Sequence, residues 1–219
     1  TFIDGKIIPK SKAFILPSEG IDITYFKPLA SIELSDDYTF LFSARLILDK
    51  GIEEFVHAIQ LLHEKGYSVV GNIVGFLDVS NPKGISKEQL NDWTQESYIK
   101  YLGSTTDIRP YIRQSSCVVL PSFYREGVPR ILLEAASMEK PIITTNNVGC
   151  RDVVDHSQNG YLCNIRDTKD LADKMEKFIN LSSQQQILMG KKGRQKVERQ
   201  FDERIIFNYY SQCIKRYIA

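Results

Sequence analysis

Apolar runs of strand length alternate with helical patterns along most of the chain. The run Tyr38 to Ala44 (YTFLFSA) predicts a strand, and Gly51 to Lys65 predicts a helix with Phe55, Ala58, Ile59 and Leu62 on one face and Gly66 as its stop. Tyr67 to Phe76 predicts the next strand, Ser86 to Ser97 a polar helix or an insertion, and Ile99 to Leu102 a short strand. Asp107 is placed to cap a short helix through Gln114. Cys117 to Leu120 reads as a buried strand closed by Pro121, and Pro129 to Lys140 as a helix with its proline in the first turn. A strand over Pro141 to Thr145, a short helix over Arg151 to His156, a turn at Gly160 and a last strand over Tyr161 to Ile165 follow. Beyond that point the strands stop, and residues 167–180, 183–200 and 202–218 read as consecutive helices. Strands alternating with helices predict a parallel α/β sheet covered by helices, a Rossmann-like domain with a helical C-terminal tail.

Composition narrows the picture without changing it. The 219 residues, 42% hydrophobic and 25% charged, suit one globular domain and exclude disordered, collagenous and coiled-coil chains. A net charge of +1 lacks the broad positive field of a nucleic-acid binder, so an anion has to be bound by a local site. No apolar run reaches the roughly 18 residues needed to span a bilayer and no leader pattern opens the chain, so a cytoplasmic location is expected. The chain starts at Thr1 without an initiator Met, as an excised piece or a processed terminus would. Cys117, Cys150, Cys163 and Cys213 form no C-x-x-C pair and read as reduced structural thiols.

Three segments carry possible chemistry, and each follows a predicted strand. In SARLILDKG, Arg45 and Lys50 lie five residues apart around a strand-to-helix connection and can converge on one diphosphate. Gly51 then opens a helix whose N–H groups favour negative charge. By itself the segment reads more readily as a solvated loop with ordinary surface Arg and Lys, and neither a Walker loop nor a G-x-G-x-x-G fingerprint is present. In EGVPRILLE, Glu126 lies in a loop beside the turn-permissive Gly127, and Glu134 lies about 7.5 Å further along the helix that begins at Pro129. Two carboxylates so spaced can accept hydrogen bonds from hydroxyls on two rings of one ligand, with the intervening amides meeting a phosphate. Glu134 also shares a face with Ile131 and Met138, which puts an acid on the flank of a core-facing stripe; a solvated acid at its edge is the plainer alternative. The third segment, NNVGCRDVVDHSQNG, places Gly149 and Arg151 beyond a strand end at the same edge of the sheet. His57, His63 and His156 share no face and there is no D-x-D, so no metal site is expected. Lys191, Lys192, Arg194, Lys196 and Arg199 form a basic run, read as a solvated face or a contact for anionic lipid.

Together these segments resemble the C-terminal, donor-binding domain of the family 4 retaining glycosyltransferases of GT-B fold, from about Phe14 to the end. ILPSEGID resembles the family's hinge, FLFSARLILDKG its cation loop, and VVLPSFYREGVPRILLEAASMEKPIIT its E-x7-E region. The wording EGVPR with GCRD is similar to the members that build bacterial lipid-linked oligosaccharides, O-antigens and capsules. The resemblance implies that Arg45 and Lys50 hold the diphosphate of a nucleotide sugar, with UDP the expected nucleotide. It also implies that Glu126 meets the donor sugar and Glu134 the ribose. By the same resemblance the backbone of Gly127, Val128, Pro129 and Arg130 flanks the phosphate, and the backbone around Leu102, Gly103 and Ser104 meets the base. No cofactor or metal is implied, Arg45, Lys50 and Glu126 carrying the catalytic work of a retaining hexosyl transfer to a saccharide or lipid-linked acceptor. A full member has a second, N-terminal domain for the acceptor, which this chain lacks, so residues 1–219 are expected to be a single donor domain, inactive in isolation, that works beside the inner face of a membrane. A nucleotide-sugar binding module without transfer is the rival reading; a GT-B 2-epimerase would lack this cation loop and this acid pairing.

Overall fold

A computed structural model describes residues 5–7, 9, 18–28 and 37–218. The strands are β1 (Tyr38–Ser43), β2 (Val69–Val74), β3 (Ile99–Tyr101), β4 (Cys117–Leu120), β5 (Ile142–Thr145) and β6 (Gly160–Cys163). They form one sheet in the order β3-β2-β1-β4-β5-β6, and every pairing is parallel. The helices are α1 (Ile52–Glu64), α2 (Lys87–Trp93), α3 (Arg109–Gln114), α4 (Arg130–Ser137), α5 (Cys150–Val153), α6 (Thr168–Ile179), α7 (Ser183–Gln200) and α8 (Glu203–Ile218).

Phe40, Leu41 and Phe42 are consecutive and all fully buried, which a strand permits only when both faces of the sheet are covered. Right-handed crossovers supply that cover. The chain steps one way from β1 through α1 to β2 and the opposite way from β4 through α4 to β5, so α1 and α4 fall on opposite faces. On one face α6 packs against α1, with Phe178 meeting Phe40 edge-on at 6.1 Å between ring centroids. On the other face α7 packs against α4.

Several boundaries differ from the sequence reading. Pro129 is the N-cap of α4 in an extended conformation rather than a residue of its first turn, and the helix ends at Ser137, three residues before Lys140. Glu139, at φ 59°, turns the chain into β5. Gly160 begins β6 instead of making a turn, and it pairs so closely with Ile142 that a Cβ there would lie 2.1 Å from the Ile142 carbonyl oxygen. Asp107 does accept from the Arg109 N–H at 3.1 Å, but Ile108 is the residue flanking α3. Of the hinge-like segment, Ile15, Leu16 and Pro17 lie outside the described residues; Ile21 bridges to Asp202 and anchors the segment at the α7–α8 junction.

Candidate functional site

Strand order reverses between β1 and β4, and the connections leaving their carboxyl ends run in opposite directions. A crevice opens there in any doubly wound sheet. The loop after β1 carries Arg45 and Lys50, and the loop after β4 carries Glu126. The two are locked together. The Asp49 carbonyl accepts from the Phe123 N–H at 2.9 Å, the Tyr124 N–H at 3.0 Å and the Ser122 hydroxyl at 3.3 Å. Gly51, at φ 79°, lies so close that a Cβ would stand 2.2 Å from the Pro121 carbonyl oxygen. Gly149, at φ 82°, makes the same kind of approach to the Gly127 carbonyl oxygen, also 2.2 Å, and Asn147 donates to the Tyr124 carbonyl. Three loops that are far apart in sequence thus form one rigid rim.

Lys50 is not a surface-loop lysine as its sequence context suggested. It is 8% exposed, its ammonium pairs with the Glu126 carboxylate, and the Tyr124 ring faces it at 5.2 Å. The Glu126 carboxylate also accepts from the Ser122 hydroxyl at 3.4 Å. Arg45 is exposed beside them. Glu134 is 8% exposed, so the acid on the core-facing stripe is buried rather than solvated. Burial pushes its carboxyl above the ordinary glutamate value, and Arg130, donating from Nε at 3.1 Å, only partly opposes that.

The helix expected to attract an anion has a rival. The first turn of α1 already carries Glu53 and Glu54, which match its own N-terminal charge. By contrast α4 has no acid in its first turn and no side-chain cap, and its N-terminus faces the rim.

The crevice has two connected parts. A pocket of about 280 Å³ is lined by Arg45, Lys50, Glu126, Pro129 and Arg130, among others. It shares Ser43, Ala44 and Arg130 with a larger cleft of about 650 Å³ that holds Glu134. The larger part is walled by Gly75, Phe76 and Ser104 to Ile108, with Tyr25 and Phe26 opposite. Leu102 and Gly103 stand at the end of β3 but do not line it; the wall begins one residue later, at Ser104. Gly127 and Val128 also lie outside both linings. The sequence reading missed Tyr25, Phe26 and Phe76. Arg109 stacks on Tyr25 at 3.7 Å and is fixed by Asp107 at 2.7 Å. A Tyr-Phe pair ahead of the first predicted strand, far from any predicted strand end, was the available signal.

Residues 29–196 match the family model described as glycosyl transferases group 1. The chain belongs to the group 1 glycosyl transferases. Among curated relatives of this chain is the capsular polysaccharide biosynthesis glycosyltransferase CapM of Staphylococcus aureus, 30% identical over 80% of this chain and 45% of CapM. Another is the N,N'-diacetylbacillosaminyl-diphospho-undecaprenol alpha-1,3-N-acetylgalactosaminyltransferase of Campylobacter jejuni, 27% identical over 96% of this chain and 56% of the relative. The chain therefore spans about half the length of the relatives it matches. The HepE structure from Anabaena, solved with UDP, superposes with a TM-score of 0.79 over 90% of this chain and 56% of HepE, at 20% identity. The fold is thus the Rossmann-like C-terminal half of a GT-B architecture, as the motifs implied.

The remaining sequence candidates resolve differently. No group of three or more His, Cys, Asp or Glu among the described residues could hold a metal ion. Cys117, Cys150 and Cys163 are buried free thiols, and burial pushes Cys163 up to about 12. The basic run of α7 is largely consumed by structure. Lys196 is buried against Asp155, Lys192 donates to Gln158, and Arg194 donates to the carbonyls of Ile23, Phe26 and Ser137. Lys191 and Arg199 stay exposed, so the run makes no continuous basic face. No described helix is long and apolar enough to cross a membrane.

Proposed function

We propose that this domain binds a nucleoside diphosphate sugar, with UDP as the nucleotide, for retaining transfer to a saccharide or lipid-linked acceptor in surface polysaccharide synthesis. The observation that carries the reading is the interlocked rim at the switch point. It brings Arg45, Lys50, the uncapped N-terminus of α4 and Glu126 around one pocket, with Glu134 in the adjoining cleft. Two cations and open amides suit a diphosphate. Two acids suit hydroxyls on either side of it: Glu126 those of the sugar, Glu134 those of the ribose. A flat base fits the larger cleft, where Phe76, Tyr25 and Ile108 offer apolar surface and the chain at Ser104 to Thr106 offers polar backbone.

In this scheme the protein's part in transfer is electrostatic. As the glycosidic bond to the diphosphate breaks, negative charge grows on the departing oxygen, and Lys50, Arg45 and the N-terminus of α4 are gathered around the pocket where it would be neutralised. Glu126 orients the sugar, so that an acceptor hydroxyl attacks from the face the leaving group vacates. The relatives' names, with capsular polysaccharide in one and a diphospho-undecaprenol acceptor in the other, support the pathway class and the acceptor class. A HepE structure solved with UDP supports the nucleotide. The reading is tested by native mass spectrometry with UDP, GDP, ADP, UMP and a panel of UDP-hexoses. UDP should bind more tightly than UMP or the other bases; equal retention of UMP and UDP would remove the diphosphate from the scheme.

A further inference from the structure

We propose that Glu126 is an internal competitor of the donor's diphosphate for Lys50, and that this competition makes the site favour nucleotide sugars over the bare nucleoside diphosphate that transfer leaves behind. The proposal deepens the function above and rests on its reading of Lys50 as a diphosphate cation.

Lys50 is nearly buried, and its charge is already met in the free protein by the Glu126 carboxylate and the Tyr124 ring. An incoming diphosphate therefore finds its cation engaged. Neither partner can leave with its loop, because the Asp49 carbonyl ties residues 122–124 to the Lys50 loop and Gly149 presses on Gly127 from the other side. Only side-chain rotation frees the ammonium. When it turns to the diphosphate, Glu126 keeps, among the described residues, only the Ser122 hydroxyl at 3.4 Å, whose one proton the Asp49 carbonyl shares, and stands as an under-compensated, three-quarters-covered carboxylate near a polyanion. A bare diphosphate bears that cost in full. A nucleotide sugar relieves it, since the sugar hydroxyls donate to the carboxylate just released. Once the sugar has left on the acceptor, Glu126 has lost the sugar's donors and can recapture Lys50, which favours product release.

The test is a double-mutant cycle in UDP affinity over wild type, Glu126→Gln, Lys50→Met and the double variant. Calorimetry serves the tight arms and ligand-detected NMR the weak ones. With Lys50 present, Glu126→Gln should tighten UDP by about threefold or more, the scale expected for freeing one partner of an ion pair. In the Lys50→Met background that gain should largely vanish. The ratio of UDP-hexose to UDP affinity should fall in Glu126→Gln for whichever hexose binds. If UDP binds Lys50→Met as it binds wild type, the diphosphate reading itself fails. If Lys50→Met weakens UDP but Glu126→Gln does not tighten it, the reading stands and this proposal is overturned. Equal tightening in both backgrounds overturns it too, in favour of plain charge repulsion. Should Glu126→Gln fold poorly by thermal unfolding, Glu126→Asp, with its carboxylate drawn back, should tighten UDP in the same direction.

Discussion

At the scale of single residues, function and stability pull against each other at Glu134. Its carboxyl is buried and held above its ordinary value by desolvation, with Arg130 a partial counterweight. The folded state therefore binds this proton more tightly than the unfolded chain does. The contribution of Glu134 to stability is most favourable at low pH and declines as pH rises through the range above its unfolded value. At pH 7 Glu134→Gln should accordingly be as stable as wild type or up to about 1 kcal/mol more stable, while losing affinity for UDP and UDP-sugars alike through the ribose. Chemical denaturation and calorimetry check the two halves. A clear loss of stability with unchanged UDP binding would make Glu134 a structural acid only.

At the scale of elements, the rim depends on glycines that let backbones touch. Gly149 combines a φ of 82° with ψ of −54°, and a Cβ there would meet the Gly127 carbonyl. Gly149→Ala should cost more than about 2 kcal/mol from the strained conformation and the clash together, and it should weaken UDP by displacing the Glu126 loop. Near-wild-type stability and affinity in Gly149→Ala would mean that the loops do not depend on this contact. The elements themselves were largely legible in the sequence: Cys117–Leu120 was read at its observed limits, and the three terminal helices within a few residues. Burial on both faces makes such strands near-continuous apolar runs, and long amphipathic helices repeat their pattern often enough to be found. Pairings across loops were not legible. Nothing in the wording of SARLILDKG shows that Lys50 is buried against a carboxylate 76 residues away, or that Tyr25 walls a cleft lined by Ser104 and Glu134. Those facts depend on which connections meet at the switch point, a property of topology rather than of local pattern.

At the scale of the whole molecule, the chain carries a candidate donor site on one side of an open crevice, and it matches about half of each longer relative. We propose that the acceptor site lies outside these 219 residues. Phe207, Tyr210 and Ile214 leave an apolar face of α8 exposed, as a surface that packs against further protein would be; the side chains of Tyr217 and Ile218 lie outside the described residues. This chain should therefore bind UDP yet transfer no sugar, because transfer also needs an acceptor hydroxyl held in line, and effective molarities of about 10⁵ M or more depend on that alignment. Incubation with labelled UDP-hexoses and lipid-linked or saccharide acceptors checks this, and turnover by the chain alone would place an acceptor site within it. The most direct test of the central claim is calorimetric titration of UDP into wild type, Lys50→Ala and Arg45→Ala. Loss of the nearly buried Lys50 should weaken UDP by about 1.5–3 kcal/mol, and loss of the exposed Arg45 by less, with the fold retained in both. Wild-type affinity in both variants would contradict the assignment of the switch-point rim as a diphosphate site.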